Sequence, residues 1–233
     1  PSTPPSATHV RNHHRQPPLT TRLTNSLTAQ FLHLTVHLPG RCMVSLAGDP
    51  KNAFLTELDG APANLRLFKA DMLDCDTVAA AFAGCEGVFH VATPVPDQKM
   101  VDPQKEMMEP AVKGTMNVLK ACSATKVHKL IVVSSIATNI FNPDWPRDKI
   151  KDESCWSDKE FCRQTENWYS LAKTEAEEMA LEYGEKNGLH VVALCPGLVF
   201  GPLLQHVAVN TSSKVLVYMI KSSTPQLIYH KDT

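Results

Sequence analysis

The chain has 233 residues, of which 43% are hydrophobic and 20% are charged, and its formal net charge is −1. This composition supports a substantial core, gives no indication of binding to nucleic acid or to an anionic membrane surface, and contains no apolar run of the roughly 18 residues that a membrane span needs. The seven cysteines are scattered and form no C-x-x-C pair, so the sequence predicts neither a disulfide framework nor a metal site.

The first 48 residues differ in composition from the rest, because they contain no Asp or Glu but hold five of the ten histidines and six of the seventeen prolines. They have few large apolar groups, so residues 1–42 are predicted to be disordered or non-native sequence. A transit peptide for an organelle is the alternative, since such peptides are basic, hydroxyl-rich and poor in acids. Otherwise the protein is expected in the cytoplasm. Within this region, "FLHLTVHLPG" (31–40) alternates like a short strand without an evident partner.

From Asp49 onward, strand-like and helix-like segments alternate. Four apolar runs are predicted to be strands, at 64–72, 87–94, 128–135 and 190–197. Helical patterns lie between them, at 75–84, at 102–122 and at 167–188. Gly84 is a stop signal for the first helix, and Pro110 is expected to interrupt the second before Val112. The alternation predicts an α/β fold with a doubly wound parallel sheet, whose strands end at one common edge.

The stretch "NWYSLAKTEAEEMALEYGEKNG" (167–188) places Tyr169 and Lys173 on the same face of a predicted helix. A lysine ammonium beside the phenol is expected to lower the pKa of the tyrosine. Tyr169 would then exchange a proton with a carbonyl oxygen while hydride arrives at the carbonyl carbon. Ser135, at the end of a predicted strand, would hold that oxygen in place.

The alternative interpretation of this helix needs no function. With four tyrosines and many lysines, the four-residue spacing arises readily by chance. Glu175, Glu177 and Glu178 follow on the same helix and are typical of a solvated face. Ser135 at a strand end favours the functional interpretation over an exposed Tyr–Lys contact.

Several phrases occur in the order of a known family, between about residue 49 and about residue 222. They are "DPKNAFLTELDGAPANLRLFKADMLD", "AAAFAGCEGVFHVATPV", "EPAVKGTMNVLKAC", "IVVSSIAT", "DESCWSDKEFC", "NWYSLAKTEAE" and "LCPGLVFGPLLQ". In these phrases the chain resembles the extended short-chain dehydrogenase/reductases, and within them the plant cinnamoyl-CoA reductase-like and dihydroflavonol reductase-like group.

This resemblance implies a Rossmann-like fold and an NADPH-dependent reductase acting on a small molecule, namely a CoA ester, aldehyde or ketone of phenylpropanoid type. The motif "NWYSLAK" replaces the "NWYCYGK" that we associate with cinnamoyl-CoA reductases, so a general aldehyde or ketone reductase is an equal candidate. A nucleotide-sugar epimerase or dehydratase would share the Ser, Tyr and Lys but not "DESCWSD" and "NWY", and it ranks below both.

By resemblance, Ser135, Tyr169 and Lys173 are the catalytic serine, tyrosine and lysine. Ser134 is the less favoured serine, because the family residue is usually the last hydroxyl before a turn of small residues. Lys173 is also expected to bind the ribose of the nicotinamide.

The resemblance assigns further cofactor-binding positions to turns and strand ends: Lys51 for an NADP 2′-phosphate, Asp71 and Met72 beside the adenine, Val91, Ala92 and Thr93 along the cofactor trough, and Pro196, Gly197 and Val199 at the nicotinamide. Strand packing explains Val91 and Val199 equally well, and Lys51 is equally explained as an exposed lysine in a polar turn. Trp156 and Trp168 are expected either at the substrate entrance or as large core anchors.

The chain departs from the family at both ends. The family begins with a strand, a G-x-x-G-x-x-G turn and a helix, whereas the first glycine here is Gly40. The expected fold therefore lacks this unit, which holds the cofactor diphosphate, and also lacks most of the C-terminal substrate lobe. Residues 43–222 are predicted to be an incomplete NAD(P)-binding reductase domain and residues 223–233 a divergent tail. A truncated, catalytically impaired isoform or gene-model fragment that binds no cofactor is the alternative.

Loss of the first strand would leave a gap in the middle of the sheet, with backbone donors and acceptors exposed on both neighbouring strands. Residues 31–38 are expected to fill this gap only in part, because the link to residue 42 is too short for a crossover helix. Poor solubility is therefore expected. The sequence does not specify the oligomeric state.

Overall fold

The computed structural model describes residues 33–36, 40–44, 50–57, 61–95, 100–200 and 211–221. The strands are β1 (His33–Val36), β2 (Gly40–Val44), β3 (Leu65–Lys69), β4 (Gly87–His90), β5 (Lys129–Val133) and β6 (His190–Leu194). The α-helices are α1 (Ala61–Asn64), α2 (Cys75–Phe82), α3 (Gly114–Ala124), α4 (Ala137–Ile140), α5 (Lys159–Gln164), α6 (Trp168–Asn187) and α7 (Thr211–Lys221). A 3₁₀-helix covers Pro50–Leu55 and a π-helix covers Gln104–Lys113. The predictions for residues 1–32 and for the tail at 223–233 lie outside the described residues.

Within the described residues, the strands form one six-stranded sheet in the order β3-β2-β1-β4-β5-β6. The pairs β2–β3, β4–β5 and β5–β6 are parallel, as expected for a Rossmann-like α/β fold. β1 is antiparallel to both β2 and β4, so the otherwise parallel sheet is mixed at this strand. Residues 37–39 alone separate β1 from β2, which suffices for a hairpin but not for the crossover of a parallel pair.

β1 occupies the central position at which a gap was predicted. Leu34 is paired with Cys42 of β2 on one side and with Phe89 of β4 on the other. Both neighbouring strands therefore have a backbone partner at this position. Residues 33–36 and 40–42, which belong to the segment predicted to be disordered or non-native, form β1 and the start of β2. The alternating pattern of "FLHLTV" had indicated the strand.

Side-chain caps set the start of two helices that flank the sheet. α2 begins at Cys75, directly after Asp74. The Asp74 carboxylate accepts hydrogen bonds from the backbone N–H groups of Asp76 and Thr77, at 3.1 and 3.3 Å. Asn167 Oδ1 accepts from the Ser170 N–H at 3.2 Å, and α6 begins immediately after it. Asp and Asn are favoured at this position because they satisfy N–H groups that have no partner within the helix.

Pro110 lies within a continuous helical segment. The chain is π-helical from Gln104 to Lys113 and continues as an α-helix from Gly114, so the predicted interruption is a change of helix type without a break. In an α-helix, proline has no N–H to donate and its ring collides with the carbonyl four residues earlier. Because the π turn is wider, it avoids this collision. Met107 and Ala111, on either side of the proline, both remain buried.

The main core lies between the sheet and helices α2, α3 and α6. Its fully buried side chains come from every one of these layers and include Phe82, Val88, Leu119, Leu130 and Ala180. A second apolar cluster joins the π-helix to the first half of α6. Together the two clusters hold the start of α6 near the carboxyl end of β5. None of the described helices combines the length and the apolar composition needed to cross a membrane.

Close packing of α6 on β6 at Gly184 generates a prediction about stability. A Cβ atom added to Gly184 would lie 2.7 Å from Val191 Cγ2 and 2.8 Å from the Leu189 carbonyl oxygen. Because this carbonyl belongs to the backbone, Gly184→Ala is expected to lower the free energy of unfolding by about 1–3 kcal/mol, even though alanine is the better helix former. Urea unfolding followed by circular dichroism measures the change. The exposed neighbour provides the control, since Glu185→Ala is expected to stay within about 0.5 kcal/mol of the parent. If Gly184→Ala were as stable as the parent, the close packing at Gly184 would be contradicted.

Candidate active site

The candidate site lies where β5 and β6 end side by side. The Ser134 N–H donates to the Leu194 carbonyl at 2.7 Å, and the Ile136 N–H donates to the Pro196 carbonyl at 3.0 Å. These bonds extend the parallel pairing of the two strands beyond their last residues. The loops that leave β5 and β6 are thereby held together at the sheet edge at which the sequence predicted the chemistry.

Ser135 and Tyr169 are brought together at this edge. Ser135 is half-buried directly after β5, and its Oγ accepts a hydrogen bond from the Ala137 N–H at 3.2 Å. The Ser135 side chain also lies near enough to the Tyr169 phenol to lower its pKa. Tyr169 stands in the first turn of α6 and packs against the second apolar cluster. A hydroxyl and a phenol that are neighbours can both form hydrogen bonds to one small oxygen-bearing group.

Burial changes the acidity of Tyr169 in the direction opposite to that expected from the sequence. The pKa of Tyr169 lies above its ordinary value of 10.0 because burial disfavours the phenolate, while the hydrogen bond with Ser135 opposes this rise. The interpretation in which Lys173 lowers this pKa is wrong for this structure, since Lys173 Nζ donates to the Val133 carbonyl at 2.8 Å. At neutral pH the phenol is therefore protonated and available as a proton donor.

Lys173 is buried, with 6% of its surface exposed, and lies one turn of α6 after Tyr169. Burial lowers the pKa of its ammonium from 10.5 to about 8, and the charges of Glu177 and Cys195 act against this lowering. The positive form is still the major one at neutral pH. An ammonium with three N–H donors, one of them used by the Val133 carbonyl, has further capacity for hydrogen bonds in this site.

Five of the predicted cofactor positions flank the end of β5. Val91, Ala92 and Thr93 follow β4, and Ala92 is buried while the other two are half-buried. Pro196 and Gly197 follow β6, the first half-buried and the second exposed. Since β4 and β6 both run parallel to β5, these residues lie at the same sheet edge as Ser135.

The two predicted adenine neighbours lie at the end of β3, separated from β5 by β2, β1 and β4. Asp71 is exposed, and its Oδ1 accepts a hydrogen bond from the Leu73 N–H at 2.9 Å. Met72 is 3% exposed, and its carbonyl accepts from Asn117 Nδ2 at 2.8 Å. The structure therefore places Met72 in the core, and only Asp71 presents its side chain to solvent.

The remaining predicted residues are not gathered around Ser135. Val199 is half-buried and its N–H donates to Ser212 Oγ of α7 at 3.2 Å. Lys51 lies in the 3₁₀-helix, and its side chain is outside the described part of the chain. Trp168 packs against the second apolar cluster, which agrees with its interpretation as a core anchor. Among the described residues, no three His, Cys, Asp or Glu side chains are grouped to hold a metal ion.

Sequence reasoning missed Glu177, which it assigned to a solvated helix face. Glu177 is only 6% exposed, its carboxylate accepts a hydrogen bond from the Ser134 hydroxyl, and its Oε1 lies 3.5 Å from Cys195 Sγ. A signal for this placement was present in the spacing. Glu177 follows Tyr169 by eight residues and Lys173 by four, which places all three on one face of a helix.

The comparisons with known families agree with this fold. The model of the NAD dependent epimerase/dehydratase family matches residues 41–227. The chain belongs to this family. Its relatives include cinnamoyl-CoA reductase 2 from Medicago truncatula, 43% identical over 171 residues that make up 73% of this chain and 49% of that protein. Tetraketide alpha-pyrone reductase 1 from Arabidopsis thaliana is 35% identical over 211 residues, which cover 87% of this chain and 63% of that protein.

Solved structures give the same result for the architecture. Vestitone reductase from alfalfa superimposes with a TM-score of 0.61 at 29% identity, covering 78% of this chain and 66% of that one. A yeast methylglyoxal/isovaleraldehyde reductase in complex with NADPH superimposes with a TM-score of 0.64 at 22% identity, over 78% of this chain and 60% of that one, which is a likeness of fold. The predicted resemblance to the cinnamoyl-CoA reductase-like group is thus confirmed. The chain spans about half the length of the cinnamoyl-CoA reductases that it matches.

The buried ammonium generates a prediction about stability and pH. The pKa of Lys173 is about 8 in the folded protein, whereas its ordinary value, taken for the unfolded chain, is 10.5. Between pH 8 and pH 10.5 the unfolded chain therefore binds more protons than the folded protein, and the free energy of unfolding rises with pH. The free energy of unfolding of the parent, measured relative to Lys173→Met, is expected to increase by about 2 kcal/mol from pH 8 to pH 10. Urea titrations at several pH values test this. Lys186→Met, which removes an exposed lysine of the same helix, serves as the control and should show no such trend. If the difference in free energy of unfolding between the parent and Lys173→Met did not change with pH, the burial of the Lys173 ammonium would be contradicted.

Proposed function

We propose that the chain is an NADPH-dependent reductase of the cinnamoyl-CoA reductase-like group, which reduces a CoA ester, aldehyde or ketone of phenylpropanoid type. The observation that carries this proposal is the grouping of three side chains at the end of β5. Ser135 follows the strand and acts on the pKa of Tyr169, and the buried ammonium of Lys173, one helical turn after Tyr169, donates to the Val133 carbonyl at 2.8 Å. The relation to reductases, which include cinnamoyl-CoA reductase 2 at 43% identity, supports the reaction class.

In this proposal Tyr169 is the proton donor. Its raised pKa keeps the phenol protonated at neutral pH, which suits donation to the oxygen of a carbonyl that is being reduced. Ser135, at the end of β5 near the phenol, donates a second hydrogen bond to that oxygen and orients it. After transfer, the phenolate regains its proton from solvent, which its raised pKa favours.

The residues at the site fit one half of the cofactor. Val91, Ala92 and Thr93 after β4 and Pro196 and Gly197 after β6 border the edge to which a nicotinamide would bind, and Lys173 has N–H donors to offer a ribose. NADPH, when bound, supplies the hydride for the carbonyl carbon.

The diphosphate half has no corresponding site among the residues that the structure describes. In a dinucleotide-binding fold, a glycine-rich turn leads from the first strand to a helix whose N-terminal N–H groups bind the diphosphate. Here β1 returns as β2 after residues 37–39, and Gly40 is the first glycine of the sequence. We therefore assign no residues to the diphosphate.

This observation favours a second candidate function, a non-catalytic chain that retains the acid–base residues and binds no cofactor. β1 is antiparallel, and Val36 at its carboxyl end pairs with Gly87 at the start of β4. The carboxyl end of β1 thus lies at the sheet edge opposite to the candidate site. A turn after β1 would be on the wrong edge for a cofactor that reaches Tyr169.

Titration with NADPH separates the two candidates. If the chain is a reductase, the purified protein is expected to enhance nicotinamide fluorescence in a saturable manner, because the site excludes water from the nicotinamide. Heat-unfolded protein at the same concentration serves as the control. Absence of saturable binding up to the solubility limit of NADPH would reject the reductase and leave the non-catalytic chain.

A conservative substitution tests the role of Tyr169. Tyr169→Phe removes the proton donor and keeps the ring, so it is expected to retain NADPH binding while turnover falls by about 10²–10⁴-fold. Tyr183→Phe is the matched control, because Tyr183 lies on the same helix with its hydroxyl bonded to Ser123 at 3.1 Å, far from the site. Its turnover should equal that of the parent. Turnover that survives in Tyr169→Phe would exclude Tyr169 as the donor.

A further inference from the structure

Glu177 is a buried carboxylate behind the candidate active site. It is 6% exposed, whereas the side chains of its neighbours Glu175 and Glu178 are 29% and 36% exposed and form ion pairs with Arg163 and Lys159. Burial of a carboxylate costs free energy unless polar groups compensate for the lost water. The environment of Glu177 therefore differs in kind from that of the other acids on the same stretch of α6.

Hydrogen-bond donors from two strand ends converge on this carboxylate. The Ser134 hydroxyl, after β5, donates to Oε2. Cys195 Sγ, after β6, lies 3.5 Å from Oε1 and 3.6 Å from Oε2. Ser134 is itself 5% exposed, so this contact lies away from solvent. Glu177 thus connects α6 to the two loops that form the site.

The same carboxylate faces Lys173, which lies one helical turn earlier. Among the described residues, the titratable groups that act on the Lys173 ammonium are Glu177 on its own helix and Cys195 on the loop after β6. β5 contributes the uncharged Val133 carbonyl, which accepts from Nζ at 2.8 Å. Burial lowers the pKa of Lys173, and the negative charge of Glu177 is the larger of the two opposing influences.

We propose that Glu177 is a positioning residue of the candidate active site, whose buried carboxylate holds Ser134 away from the substrate and keeps Lys173 positively charged. This inference rests on the proposed function, because it assigns Glu177 to the support of Ser135, Tyr169 and Lys173. Glu177 makes no contact with substrate or cofactor in this scheme. It acts through the serine before Ser135 and through the lysine.

The role of Glu177 has a consequence for pH dependence. Without the negative charge, the ammonium of Lys173 loses its proton more easily, so the pKa of Lys173 falls below its value of about 8. A reaction that needs this ammonium would then decline at a lower pH. The alkaline limb of the pH profile of kcat/KM is expected to move in the acid direction, and a purely structural role would not move it.

The charge of Lys173 can be measured without cofactor or turnover. The full 233-residue chain is labelled with ¹³C-lysine, and the Lys173 Cε signal is identified by its absence in Lys173→Met. In Glu177→Gln the midpoint of the Lys173 titration is expected about one pH unit lower than in the parent. Glu182→Gln removes an exposed glutamate of the same helix and should leave the midpoint unchanged. An equal midpoint in the parent and in Glu177→Gln would overturn the proposal.

Two further substitutions guard against a folding defect. Glu177→Met has a similar volume and needs no hydrogen-bond partner, so it replaces Glu177→Gln if that variant does not fold, and the same acid shift is expected. Glu177→Asp keeps the charge and should restore the midpoint to within about half a unit of the parent. A Glu177→Asp midpoint as low as that of the uncharged variants would show that charge is not the cause, and would reject the inference.

Failure of this inference is distinguishable from failure of the proposed function. If the Lys173 midpoint shifts as expected but the chain neither binds NADPH nor turns over, Glu177 sets the charge of Lys173 and the reductase assignment alone is wrong. If the chain is active and both the midpoint and the alkaline limb of kcat/KM are the same in the parent and in Glu177→Gln, the reductase assignment stands and Glu177 has no positioning role.

Discussion

A lysine ammonium inside a protein loses its hydration, and only nearby oxygen acceptors and negative charge make its burial tolerable. Lys173 meets this requirement with the Val133 carbonyl at 2.8 Å and with the carboxylate of Glu177 one turn further along α6. Both compensating groups are available only because α6 crosses the carboxyl end of β5. The two apolar clusters that fix this crossing therefore determine the electrostatics of the candidate site as well as the stability of the fold.

The same crossing gives two adjacent serines different environments. Successive side chains of an extended chain point to opposite sides. Ser134 is 5% exposed and donates to Glu177, whereas Ser135 is half-buried and influences the pKa of Tyr169. Of the two hydroxyls, Ser135 is thus the one placed to share a ligand with the phenol. This division supports the choice of Ser135 that the family resemblance suggested, on grounds of contact alone.

Local patterns in the sequence predicted the local structure well. Strands occur within all four predicted apolar runs, α6 begins after Asn167, and Gly84 has the left-handed backbone, with φ of 76°, that a stop signal at a helix end implies. These features depend on residues close in the chain. The pairing of β1 depends instead on which position of the sheet is open and on the short link to β2. The sequence indicated both of these features, but not the antiparallel pairing of β1 with its two neighbours.

The same distinction applies to the candidate site. The spacing of Tyr169 and Lys173 predicted that they share a helix face, but the pKa shift of Tyr169 depends on burial, which only tertiary packing determines. Glu177 was misjudged for the same reason, because a glutamate among other charged residues is ordinarily solvated. The contacts of the candidate site that involve Ser134, Lys173 and Glu177 lie within residues 129–200, whereas β1 and β2 lie on the other side of β4 in the sheet. The unexpected direction of β1 therefore changes none of the contacts on which the proposed role of Glu177 rests.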